Sequence, residues 1–344
     1  MPTIGILCGG GDAPGLNPVI RAVTKYGAGQ RGWKLIGIED SFNGFFERPY
    51  RIRLLTPIAC KGLLGRGGTV LGTTNHGNPF KLADGADHST QLVKALGELG
   101  IEGLIVIGGD GTMKICQQLI DERGIKIVGV PKTIDNDLSA TDVTFGFQSA
   151  VDCATDALDR LHTTAASHDR VQVLEVMGRD AGWIALHAGI SGGADVVIVP
   201  EIPWEAARVV RKIEERRANG RPFSMIIVAE GAVPLGERIK PGKAGQAVCD
   251  AVERLLPNAE VRLTVLGHLQ RGGSPVAYDR LLATRMGVGA VDLVEAGRWG
   301  EMVRLRDGRI EGVPIADAIA TYRHVDSQSE LLRTARAVGI ELGA

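Results

Sequence analysis

Three carboxylates and a lysine stand at the ends of two neighbouring apolar runs. Leu104-Ile105-Val106-Ile107 stops at Gly108-Gly109-Asp110-Gly111-Thr112, and Lys126-Ile127-Val128-Gly129-Val130 stops at Pro131-Lys132-Thr133-Ile134-Asp135-Asn136-Asp137. An apolar run ended by Gly-Gly reads as a buried parallel strand. Thr112 is expected to cap the helix that follows. Asp110 then falls in a strand-to-helix turn at the carboxyl edge of a sheet, where open α/β folds bind ligands. Asp135 and Asp137 arrive at the next strand end. Phosphoryl transfer needs this inventory: acids to hold Mg²⁺ and one to take a proton from an attacking hydroxyl.

The elements that must position these acids follow a repeated strand-then-helix order. Thr3–Cys8 reads as a strand, Gly9-Gly10-Gly11-Asp12-Ala13-Pro14-Gly15-Leu16-Asn17 as a turn, and a helix starts from Pro18. Strand, glycine-rich turn and helix can cradle phosphate on free N–H groups and the helix dipole, although the spacing is neither a Rossmann nor a Walker A pattern. Further strands are read at 34–38, 171–176, 195–199, 224–229 and 261–266, with helices near 90–99, 148–165, 181–190, 204–218, 245–255 and 277–296, a hairpin over 302–313 and a helical tail. Residues 41–80 read as irregular and functional. The β-then-α order argues for mainly parallel sheets with helices on both faces, and the number of strands for two such sheets.

The strand ends also carry Arg170, Arg179, Glu230, Arg262, His268 and Arg271. Guanidinium groups suit phosphate through forked contacts. Each residue alone has an ordinary explanation: a turn acid, a surface ion pair, a structural histidine. Unrelated turns seldom gather acids and arginines at one edge, so the set outweighs its members. His162 and His187, inside helical patterns, and Trp183 and Trp204 read as structural.

Composition excludes several classes. The net charge of −1 gives no electrostatic case for nucleic acid or an anionic membrane. Five scattered cysteines without metal-type spacing fit a reduced, cytoplasmic protein. No signal peptide or membrane-spanning run is read.

The chain resembles the 6-phosphofructokinase family over nearly its whole length. The stretches that carry the resemblance are GGGDAPGLN (9–17), RGGTVLGT (66–73), GGDGT (108–112), PKTIDND (131–137), GFQSA (146–150), MGR (177–179), VPE (199–201) and GHLQRGGSP (267–275). GGDGT alone also occurs in NAD and lipid kinases; the combination with TIDND, MGR and GHLQRGGSP is specific. The resemblance implies phosphoryl transfer from ATP to the 1-hydroxyl of fructose 6-phosphate, a glycolytic step. It implies Asp135 as general base, Asp110 as the Mg²⁺ residue and Asp137 as the second acid of the motif. Gly11 is implied as a backbone donor to the transferring phosphate, with Gly111 and Thr112 also at the donor. Arg179 is implied at the transition state, with Thr133 and Lys132 beside it. Met177, Gly178 and Glu230 are implied as sugar contacts, and Arg170, Arg262, His268 and Arg271 as the 6-phosphate clamp. Residues like Arg170 and Arg262 reach in from a neighbouring subunit in the family, which implies a homodimer or homotetramer with shared active sites.

The resemblance further implies two three-layer α/β domains with the active site in the cleft between them. Residues 1–145 with about 258–305 are expected to bind the donor, and 146–257 with about 306–344 the sugar phosphate. Three departures bear on the donor. Asn75 replaces an arginine of the short bacterial ATP enzymes, Lys132 is the lysine of pyrophosphate enzymes, and Ile115 replaces a glycine near the adenine. Gly111 is kept where pyrophosphate enzymes usually carry aspartate. Arg21 is kept from the basic effector pocket of the short enzymes, but Pro57 and His162 replace basic residues there. The alternatives are a pyrophosphate-dependent phosphotransferase and a non-catalytic sugar-phosphate-binding subunit.

Overall fold

The computed structural model describes residues 1–240 and 242–344. The first stretch runs β1 (Thr3–Cys8), α1 (Leu16–Val23), β2 (Lys34–Ile38), β3 (Ile52–Leu55), α2 (Ser89–Leu99), β4 (Gly103–Gly108), α3 (Asp110–Arg123), β5 (Ile127–Thr133) and β6 (Phe145–Gly146). Next come α4 (Phe147–His168), β7 (Val171–Val176), α5 (Trp183–Ser191), β8 (Val196–Ile198), α6 (Ala206–Ala218), β9 (Ser224–Ala229), α7 (Ala244–Leu255) and β10 (Val261–Val265). The last are α8 (Ala277–Glu295), β11 (Glu301–Arg306), β12 (Arg309–Pro314), α9 (Ile315–Ala318) and α10 (Glu330–Ala337).

The chain divides into two units: 1–134, 138–148 and 271–322 form the first, and 135–137, 149–270 and 323–344 the second. The sheet of the first unit runs β12-β11-β5-β4-β1-β2-β3, with β6 beside β5. Its pairs are parallel except β2 with β3 and β11 with β12. Strand β4 shows why the run is continuously apolar. Ile105 and Ile107 enter one core with α1 and α8 residues such as Val19 and Met286, while Leu104 and Val106 enter the other with Leu92 and Cys116. Both faces are covered, so neither alternates with polar residues. The sheet of the second unit, β10-β7-β9-β8, is wholly parallel. One face packs on α6 and α7 through Val209, Ile213, Val248 and Val252.

Four details differ from the sequence reading. Val261–Val265 was expected to return to the first unit, but β10 pairs with β7 from Val261↔Val171 to Val265↔Glu175, so the return comes at Arg271. Residues up to Tyr322 stay with the first unit because β12 pairs along the whole of β11. Ile52–Leu55 is a strand inside the stretch read as irregular; only Leu55 of it is buried, so it leaves no apolar pattern. Thr112 is not a cap: α3 begins at Asp110 after Gly109, whose missing side chain makes no cap hydrogen bond. The Thr112 side chain instead lies against the backbone of Gly9 and Gly108, where an added Cβ would come within 2.6 Å and 2.4 Å of it.

Candidate active site

In the first unit several of the residues singled out on sequence gather around the turn after β1. Gly9 N–H donates to the Ile107 carbonyl at 2.8 Å, Gly10 N–H to Thr74 at 3.1 Å, and Thr73 Oγ1 to the Gly10 carbonyl at 2.6 Å. The RGGTVLGT loop is held by Asn17, whose amide donates to the Arg66 and Gly67 carbonyls and accepts from Val70 N–H at 2.9 Å. Lys132 is buried, and its Nζ donates to the Gly11 carbonyl. Arg271 Nη1 donates to the Asp12 carbonyl at 3.0 Å. Two cations therefore touch one glycine turn, an arrangement for a polyanion. A Cβ at Gly11 would sit 2.9 Å from Arg271 Nη1, so a larger residue there would displace the guanidinium from the turn. Beneath the turn, burial pushes the Cys8 thiol up to about 11, which keeps it neutral.

Asp110 is the first residue of α3, where the helix dipole favours an acid. Its Oδ2 lies 2.9 Å from Lys114 Nζ and accepts from the Tyr322 hydroxyl at 2.5 Å. The hydrogen bond to Asp110 raises the Lys114 ammonium above the ordinary lysine range. Thr133 ends β5, its carbonyl accepting from Thr144 Oγ1 at 2.8 Å. Among the described residues no three acids, histidines or cysteines form a metal cage. A lone carboxylate at a helix start fits Mg²⁺, which is commonly held by one or two acids and the substrate's own phosphates.

The second unit carries the other set. Asp135 and Asp137 are buried on either side of Asn136, which takes a left-handed φ of 55°, and the Asp137 carbonyl accepts from Arg323 N–H at 2.8 Å. After β7, Met177 N–H donates to Gln270 Oε1 at 2.8 Å. Gly178 has φ 139°, and a Cβ there would lie 2.5 Å from the Ala181 carbonyl. Arg179 N–H donates to Glu230 Oε1 at 3.0 Å, and Glu230 N–H to the Val176 carbonyl at 2.8 Å. The loops after β7 and β9 are thus one hydrogen-bonded assembly, with the Arg179 side chain exposed. Arg170 and Arg262 meet on one acid: both reach Glu260 Oε1, at 2.7 Å and 2.5 Å. His268 is exposed in a 3₁₀ turn over Gly267–Arg271.

Arg271, grouped with the 6-phosphate residues on sequence, is bonded to the glycine turn of the first unit. Sequence reading missed Glu260, Gln270, Lys114 and Tyr322. Glu260 carried a signal, since it stands two residues from Arg262, the period of an extended chain. Tyr322 carried none, being 212 residues from Asp110.

The profile of the family described as Phosphofructokinase matches residues 3–294. The chain belongs to that family. It is 52% identical over 352 aligned residues to the ATP-dependent 6-phosphofructokinase of Chloroflexus aggregans, covering 99% of this chain and 97% of that one. It is 48% identical over 337 residues to the pyrophosphate–fructose 6-phosphate 1-phosphotransferase of Streptomyces coelicolor, covering 94% and 96%. Among solved structures it matches the phosphofructokinase of Saccharomyces cerevisiae with a TM-score of 0.81 and 31% identity, over 93% of this chain and 45% of that one. Membership of this phosphofructokinase family fits the mainly parallel α/β sheets found here.

Proposed function

We propose that this phosphofructokinase family member transfers the terminal phosphoryl group of ATP to the 1-hydroxyl of fructose 6-phosphate, giving fructose 1,6-bisphosphate in glycolysis. The observation that carries the choice of donor is Gly111, where a Cβ would meet nothing within 4 Å. That open, uncharged position beside Asp110 leaves room for a nucleotide's longer phosphate chain. The ATP-dependent name of the Chloroflexus relative supports the same donor. A coupled assay with fructose 6-phosphate and Mg²⁺ tests it. Turnover with ATP is expected, and turnover with pyrophosphate alone would transfer the protein to the activity named for the Streptomyces relative.

In this reading the first unit serves the donor and the second chiefly the sugar phosphate. Asp110 holds Mg²⁺, which supplies charge stabilisation to the phosphates. Lys132 and Gly11 serve the transferring phosphate, Lys132 by its buried charge and Gly11 by its N–H. Gly111 and Thr112 line the donor side, and Thr133 makes a polar contact. Asp135 takes the proton of the attacking hydroxyl, and Asp137 steadies the same motif. Arg179 offsets the negative charge that spreads over the transferred group. Met177, Gly178 and Glu230 contact the sugar, and Arg170, Arg262, His268 and Arg271 its 6-phosphate.

Arg170 and Arg262 are read as serving the site of a neighbouring copy in a homodimer or homotetramer. Arg170 directly precedes β7 and Arg262 lies in β10, and each is held by Glu260, whose carboxylate the Arg170 hydrogen bond draws below its usual range. Arg170→Ala and Arg262→Ala are each expected to weaken fructose 6-phosphate binding by roughly 2 kcal/mol. Mixing Arg262→Ala protein with Asp135→Asn protein is expected to recover activity, because some sites then draw both intact residues from different chains. Hybrid oligomers that stay inactive would place arginine and base on one chain. The proposed location is the cytoplasm. Among the described residues no helix is long and apolar enough to cross a membrane.

A further inference from the structure

Asp110 is held by two groups that reach it by different routes. Its side chain is only 11% exposed, and both donors select the same oxygen, Oδ2. Lys114 is a neighbour one turn along α3, the ordinary i,i+4 pair of a helix face. Tyr322 comes from the far end of the first unit, beyond α9. Its hydroxyl lies 3.2 Å from Lys114 Nζ as well, and the ammonium sits 5.0 Å from the centre of its ring. Ammonium, phenol and carboxylate thus close a triangle at the N-terminus of α3.

The Tyr322 backbone is anchored independently of that triangle. Leu138 and Tyr322 form an isolated antiparallel bridge. Ser139 Oγ donates to the Thr321 carbonyl at 2.9 Å, and Thr321 Oγ1 donates to Ser139 Oγ at 2.8 Å. The strap at 321–322 is therefore pinned beside the segment that follows the TIDND motif. Its phenol is presented to Asp110 from a fixed backbone, although the side chain is partly exposed. A hydroxyl placed in this way restricts rotation of the carboxylate about its Cβ–Cγ bond.

We infer that Tyr322 is a positioning residue for the Asp110 carboxylate, setting the orientation in which that group receives the divalent cation accompanying the phosphoryl donor. This rests on the reading of Asp110 as the metal residue. Groups that orient a metal-binding side chain commonly contribute 10–100-fold to metal affinity or activity. Tyr322 also makes the donor site sensitive to the C-terminal strap, since the same residue is bridged to Leu138.

The test is Mn²⁺ binding, followed by electron paramagnetic resonance of the purified full-length protein with a non-hydrolysable ATP analogue, so that no turnover is needed. Tyr322→Phe removes the hydroxyl and keeps the ring; Tyr322→Ala removes both. Roughly tenfold weaker Mn²⁺ binding is expected in Tyr322→Phe and at least as large a loss in Tyr322→Ala. The melting temperature of Tyr322→Phe should stay within about 2 °C of the parent, as for a partly exposed hydroxyl. Parent-like Mn²⁺ affinity in Tyr322→Phe overturns the inference, and a loss confined to Tyr322→Ala assigns the residue to packing instead. Asp110→Asn separates the two readings. If it binds Mn²⁺ like the parent, Asp110 is not the metal residue. If it loses binding while Tyr322→Phe does not, only the role of Tyr322 falls.

Discussion

Asp135→Asn is expected to lower kcat by about two to four orders of magnitude, the range for losing a general base. The acceptor is a sugar hydroxyl, whose proton must leave as the new P–O bond forms, and a carboxylate can receive it where an amide cannot. Asn keeps the size of Asp and much of its hydrogen bonding, so KM for fructose 6-phosphate should change little. The position is 6% exposed, and its neighbour Asn136 already holds the left-handed turn that shapes the motif, so the exchange leaves the backbone its support. Steady-state kinetics with ATP and fructose 6-phosphate read the result. A variant that keeps near-native kcat would remove Asp135 from the role of base and direct attention to Asp137, the other buried acid of the motif.

How much of this was legible in the chain depends on how local each signal is. The β4 run could be read because covering both faces demands an apolar residue at every position, and Leu104, Ile105, Val106 and Ile107 all meet that demand. The acids after β4 and β5 could be read because they follow their strands directly. Strand β10 was visible as Val261–Leu266, but not its sheet: a strand pattern does not say which neighbour the strand pairs with. Its registry with β7 rests on contacts about 90 residues apart, like the bond from Arg170 to Glu260. The same limit hid the bond between Arg271 and the Asp12 carbonyl and that between Tyr322 and Asp110. Thr112 misled for a different reason. A threonine near a helix start suggests a cap, yet here its methyl and hydroxyl fill the space left by Gly9 and Gly108.

Gly111→Asp is expected to abolish turnover with ATP while leaving the fold intact, and the structure makes that result interpretable. Gly111 is the second residue of α3, at ordinary helical dihedrals, and a Cβ there meets nothing within 4 Å. An aspartate in the first turn of a helix is also favoured by the dipole. The substitution meets no steric barrier in the protein, so a loss of activity in a folded variant belongs to the donor side of the site. An added carboxylate fills the space beside Asp110 and repels an α-phosphate, whereas the shorter pyrophosphate does not extend that far. Lys132 acts differently. It is buried and bonded to the Gly11 carbonyl, where in the proposed reading it would add positive charge for either donor, the more so with Asn75 in place of an arginine. Lys132→Gly is accordingly expected to slow catalysis with ATP, not improve it. A lysine is expected to help both donors and an aspartate to exclude one, so exclusion at position 111 is expected to decide specificity. Kinetics of the parent and both variants with each donor, with melting temperatures on the same samples, test the argument. Undiminished ATP turnover in a folded Gly111→Asp protein would show that the nucleotide's phosphates take another path, and faster ATP turnover in Lys132→Gly would make the lysine a pyrophosphate adaptation.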